Sequence, residues 1–73
     1  MVHILLAPGF EEIEALVPAD LLRRAGIPVA LTSLEGEQVT GGHGITVAVD
    51  MDLAKVNLTQ VSMLVLPGGA QPS

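Results

Sequence analysis

The apolar positions of this chain fall into three continuous runs and one stretch with helical spacing. Val2-His3-Ile4-Leu5-Leu6 is aliphatic apart from His3, the pattern of a parallel strand buried on both faces. It breaks at Ala7-Pro8-Gly9 and opens into Phe10-Glu11-Glu12-Ile13-Glu14, which predicts a strand, a tight turn and a helix start. Over residues 11–25, Ile13, Leu16, Val17, Leu21 and Ala25 recur at three- and four-residue spacings and predict one helical stripe facing the sheet. Gly26 is placed to end that helix as its C′ residue, with Arg23 and Arg24 complementing the dipole in the last turn. Pro18 conflicts with this pattern, because it has no N–H for the carbonyl of Glu14. Either the helix begins near Pro18, or it is kinked there in a way that aims Glu14.

Residues 28–34 form the second apolar run, so strand, helix and strand predict a right-handed crossover between parallel strands. Residues 38–40 and 45–49 flank Gly41-Gly42-His43-Gly44 and predict a hairpin with His43 at its tip. Asp50-Met51-Asp52 has the outline of the Asp-x-Asp pair of phosphotransferases, but the strand before it reads as half of a hairpin and no threonine follows Asp52. Residues 53–60 predict a polar connection with one helical turn begun at Asp52. Residues 61–66 are the third apolar run, and it stops at Pro67-Gly68-Gly69. Three parallel strands and one long helix cannot cover both faces of a sheet. The expectation is therefore that residues 1–73 are the N-terminal part of a single α/β domain, completed by a segment not in this chain.

Composition narrows the classes. A chain of 73 residues is at most one small domain, of a size that buries only about 60% of the surface exposed when unfolded. With no cysteine the chain holds no disulfide, thiolate metal site or cysteine nucleophile of its own. No His/Cys spacing suggests zinc, and nothing in the pattern calls for a metal or a cofactor. The formal charge of −5, with Arg23, Arg24 and Lys55 as the only cations, argues against a nucleic-acid backbone or an anionic membrane as partner. The apolar N-terminal run is too short for a secretory or membrane-spanning segment, so the expected location is cytoplasmic.

Two places carry candidate chemistry. In open α/β sheets, small ligands are held at the carboxyl ends of the strands, where Glu11, Glu12 and Glu14 enter the helix and its dipole favours their ionised forms. Taken singly, each acid is also an ordinary first-turn residue. Gly68 and Gly69, just past the third strand, either make a simple turn or let backbone N–H groups face a shared cavity as donors to an oxyanion. His3 lies at the amino end of its strand, far from the ligand-binding edge, and reads as structural. His43, considered alone, is a loop-tip residue.

Together, residues 9–15 (Gly-Phe-Glu-Glu-Ile-Glu-Ala) continuing through Pro18 to Gly26, the segment His43-Gly44-Ile45, and Val65-Leu66-Pro67-Gly68-Gly69 resemble the amino-terminal portion of the ThiJ/PfpI superfamily. The resemblance is to the branch containing the parkinsonism-associated protein deglycase. It implies a flavodoxin-like parallel-sheet sandwich whose nucleophile is a cysteine on a strand-to-helix elbow beyond residue 73, with a histidine beside it. It further implies that Glu14 hydrogen-bonds that cysteine, that backbone amides at the position of Gly69 help form the oxyanion site, and that the helix packs near the two-fold axis of a homodimer. His43 stands where some relatives carry arginine and is a candidate for binding substrate. A thiol attacks a carbonyl only as its thiolate and needs a proton acceptor, and the developing oxyanion needs donors. Half of such a site is present in this chain.

The expected function is that of the N-terminal segment of a cysteine-dependent enzyme acting on small aldehydes, reactive dicarbonyls or their adducts, of glyoxalase or protein-deglycase type and inactive alone. Two alternatives use the same residues: a redox-responsive chaperone or stress sensor in which Glu14 stabilises an oxidised cysteine, and a peptidase or amidase of the same superfamily. A further alternative is an autonomous small interaction module.

Overall fold

In a computed structural model, which describes residues 1–69, the chain is an α/β unit built on a parallel sheet. β1 (Val2–Leu6) leads through the turn at residues 7–11 into α1 (Glu12–Arg24), and β2 (Val29–Ser33) follows. β3 (Gln38–Thr40) and β4 (Thr46–Ala48) form the hairpin, paired antiparallel. β5 (Met51–Asp52), single 3₁₀ turns at Leu53–Lys55 and Leu58–Gln60, and β6 (Met63–Val65) complete the described chain. The sheet order is β5-β2-β1-β6, with every pairing parallel.

β1 is the central strand, as its aliphatic run requires. Val2, Ile4 and Leu6 face α1 and join Val29, Leu31, Phe10, Val39, Ala15 and Ala19 in one core. His3 lies on the opposite face, buried, with Nδ1 2.8 Å from Thr32 Oγ1 of the neighbouring strand. That partner satisfies its polar group inside the sheet, in line with a structural role.

The structure decides one open alternative and corrects two expectations. α1 runs unbroken from Glu12 to Arg24 with Pro18 inside it, so it does not begin near Pro18. The sheet-facing stripe is Glu12, Ala15 and Ala19, with Leu16 and Leu22 half-buried beside it. Ile13, Val17 and Leu21 are instead 70%, 49% and 60% exposed. Small side chains let the helix backbone approach the sheet, and the large aliphatic residues were displaced to the outer face. Finally, Met51–Asp52 is a fourth parallel strand, paired with Thr32 and Ser33. Asp50, just before it, is a structural clip: its Oδ2 accepts from the N–H of Leu31 at 2.7 Å and from Arg23 at 2.8 Å.

The helix ends as anticipated. Gly26, at φ +77°, occupies the left-handed C′ position, with its N–H on the Arg23 carbonyl and the Ile27 N–H on the Leu22 carbonyl. These are the two bonds of a Schellman motif. No helix among the described residues is long and apolar enough to cross a membrane.

Candidate active site

The segment from Gly9 to Glu11 leaves the carboxyl end of the central strand and is held from both sides. Gly9, at φ +85°, donates to the Thr40 carbonyl at 2.9 Å, and the Phe10 carbonyl accepts from the N–H of Gly42 at 2.8 Å. These bonds fasten the hairpin tip to one side. On the other, Glu11 N–H donates to the Gly68 carbonyl, and Phe10 pairs with Gly69 in an isolated antiparallel bridge. The two loops that sequence reasoning singled out therefore flank the same three residues at one rim of the sheet.

Glu14, on the first turn of α1, reaches across to the loop after β6. Its Oε1 accepts the N–H of Gly68 at 2.9 Å, and the residue is otherwise open to solvent. The candidate base and the first candidate amide donor are thus bonded to each other, and the Gly68 N–H orients the carboxylate. A Cβ on Gly68 would lie 2.9 Å from that same oxygen, so the carboxylate occupies the space a side chain would take. A Cβ on Gly69 would crowd the carbonyl of Gly9 and come 2.9 Å from Phe10 Cα, backbone that cannot swing aside. Glycine at 69 is what allows the loop to close on the elbow, whereas a side chain at 68 would displace the Glu14 carboxylate.

His43 is drawn to a different acid. Glu12, only 3% exposed, accepts the His43 N–H at 2.8 Å and the Ile45 N–H at 3.3 Å on Oε2, while its Oε1 lies 3.0 Å from His43 Nδ1. Glu11 Oε1 is 3.7 Å from the same ring nitrogen. Burial pushes the Glu12 carboxyl up. The hydrogen bonds from the His43 ring, from its own N–H and from those of His43 and Ile45 more than reverse this and hold it at about 2. The imidazole of His43 is raised from its ordinary 6.5 by the bond to Glu12 and then by the charges of Glu11 and Glu12, against a smaller opposing effect of burial.

Glu12 is the residue whose role sequence reasoning missed, having treated it as one of three equivalent acids. A signal was present: Glu12, Ala15 and Ala19 are spaced by three and four, and the alanines mark the face that meets the sheet. Gly41 belongs to the same arrangement, because a Cβ there would collide with the Glu12 side chain.

The chain is similar to several known proteins. It is 43% identical over 67 residues to protein dj-1beta of Drosophila melanogaster, which covers 90% of this chain and 36% of the relative. It is 39% identical over 71 residues to a deglycase of Thermococcus kodakarensis, covering 97% of this chain and 43% of the relative. Among solved structures, a DJ-1 superfamily protein of Salmonella typhimurium, crystallised as a cysteine-to-alanine mutant, superposes with a TM-score of 0.90 at 42% identity over 96% of this chain and 38% of that one. The chain thus spans about two fifths of the length of these relatives. The model of the DJ-1/PfpI family matches residues 1–73, and the chain belongs to that family.

Proposed function

We propose that this chain is the N-terminal part of a cysteine-dependent enzyme that acts on reactive dicarbonyls or their adducts. In this reading a segment outside the chain completes the domain and supplies the thiol. The observation that carries it is the Glu14 carboxylate bonded to the Gly68 N–H at the carboxyl rim of a parallel sheet. The deglycase name of the Thermococcus relative supports the same substrate class.

The chemistry assigns each group a task. Glu14 exchanges a proton with the thiol, so that sulfur attacks the substrate carbonyl as thiolate and the proton is returned to the adduct. The Gly68 N–H fixes the carboxylate that does this, which leaves the amide of Gly69 as donor to the developing oxyanion. His43, at the hairpin tip on the far side of the elbow, meets the distal part of the substrate. The outer face of α1, with Ile13, Val17 and Leu21 exposed, serves the homodimer.

The test is methylglyoxal consumption by the full protein that contains these residues, compared with its Glu14→Gln variant. Proton transfer by a positioned side chain contributes about 10²–10⁴-fold, so kcat/KM is expected to fall on the order of 10²-fold or more. Undiminished turnover removes Glu14 from the mechanism. A stable sulfinate after mild peroxide, with negligible turnover in the unaltered protein, replaces the enzyme reading with that of a redox sensor.

A further inference from the structure

Three potential metal ligands meet at the junction of α1 and the hairpin, although they are far apart in sequence. One carboxylate oxygen each from Glu11 and Glu12 and a ring nitrogen of His43 all lie within 4.8 Å of one another. We propose that this cluster is a site for a divalent cation of the zinc type, with Glu11 Oε1, Glu12 Oε1 and His43 Nδ1 as its three protein ligands.

The geometry is close to what such an ion needs. Tetrahedral zinc with bonds of about 2.0–2.1 Å sets neighbouring ligand atoms roughly 3.3 Å apart. His43 Nδ1 stands 3.0 Å from Glu12 Oε1 and 3.7 Å from Glu11 Oε1, one separation on either side of that value. The Glu11 and Glu12 ligand oxygens lie within 4.8 Å of each other, and the Glu11 and His43 side chains must move to close on the ion.

The surroundings of Glu12 distinguish this cluster from a chance gathering of surface acids. Its carboxylate is buried, and the oxygen not offered to the metal already accepts the N–H groups of His43 and Ile45. A ligand whose second oxygen is held in this way is oriented before the ion arrives, which is the usual office of groups behind a metal's direct ligands. The space that the carboxylate fills is kept open by Gly41, where a Cβ would collide with it. The His43 side chain is 70% exposed, so the fourth position faces solvent and takes water or an anionic ligand.

Charge and softness select the ion. Two carboxylates and an imidazole are neutralised by a dication, and the proton displaced from Nδ1 leaves to solvent. An oxygen-rich set with one imidazole suits zinc, cobalt, nickel or manganese and offers nothing to thiophilic Cu(I). Absence of any His/Cys spacing in the sequence is no obstacle, because the hairpin carries His43 to acids 31 and 32 residues away.

The test uses the full protein stripped with EDTA and titrated with Co²⁺ alone, followed by its visible absorption, with Zn²⁺ as competitor. The ring ¹⁵N shifts of His43 are read alongside. One equivalent is expected to bind, with metal on Nδ1. His43→Ala and Glu11→Gln, both changes at accessible side chains, each weaken binding at least tenfold. Glu12→Gln is avoided because Glu12 also anchors the hairpin, and circular dichroism verifies that the two variants used remain folded. No saturable binding, or an affinity that neither variant alters, overturns the proposal.

Discussion

At the scale of single residues, the rim of the sheet separates two acids two positions apart into different tasks. Glu14 is open to solvent and bonded to one backbone amide, whereas Glu12 is buried and ties down the hairpin. The second arrangement has a pH signature. Glu12 is lowered from 4.5 to about 2, so its contribution to stability is complete above 4.5 and is lost as the pH falls toward 2. His43 is raised above 6.5, so its contribution is present below 6.5 and is lost as the pH rises through the raised value. In metal-free protein the tie between helix and hairpin is therefore strongest between about pH 4.5 and 6.5. Amide hydrogen exchange at His43 and Ile45, corrected for intrinsic rates, is expected to be slowest in that window. In His43→Ala the protection at Ile45 should lose its alkaline decline and keep its acid one; an alkaline decline that persists means another group is titrating.

At the scale of elements, what was legible in the sequence is what short-range pattern decides. The aliphatic run of β1, the glycine-rich hairpin turn and Gly26 at the end of α1 are each set by residues within a few positions of one another. The helix stripe was misread for a physical reason: periodicity reveals a repeat but not which of two adjacent faces meets the sheet. Ala15 and Ala19 won that face by being small. β5 was missed because a two-residue strand has no pattern of its own and exists through pairing with Thr32 and Ser33. The misread stripe now carries a prediction. Ile13, Val17 and Leu21 lie on one exposed face of α1, and replacing Val17 and Leu21 together by lysine is expected to abolish the homodimer proposed for the full protein, as read by sedimentation velocity. Single exposed substitutions cost within about 0.5 kcal/mol of folding stability, so the variant stays folded. A dimer that survives both changes assigns the interface elsewhere.

At the scale of the whole molecule, one face of the sheet is covered by α1 and the hairpin, and the other, among the described residues, only in part, by the connection between β5 and β6. A cavity of about 190 Å³ lined by residues such as His3, Leu5, Leu58 and Leu64 opens on that second face, and Met63, Leu64 and Leu66 are more than half exposed. Apolar surface of that kind is costly in water. The isolated 73-residue chain is accordingly expected to melt without a sharp transition and to bind a hydrophobic dye. A cooperative, monomeric unfolding transition would support an autonomous module instead. The candidate site divides along the same line: the sequence named Glu14, Gly68, Gly69 and His43, but their partners follow from chain segments that meet only in the fold. Glu14 meets Gly68 across 54 residues and Glu12 meets His43 across 31.

The proposed chemistry requires a carboxylate presented to a sulfur atom from another part of the protein. The measurement that tests it most directly is an experimental structure of the full protein in its reduced state. The expected result is a cysteine Sγ within hydrogen-bond reach of the Glu14 carboxylate, with the bond from the Gly68 N–H retained. A Glu14 side chain surrounded only by water, with the nearest cysteine elsewhere, would contradict it.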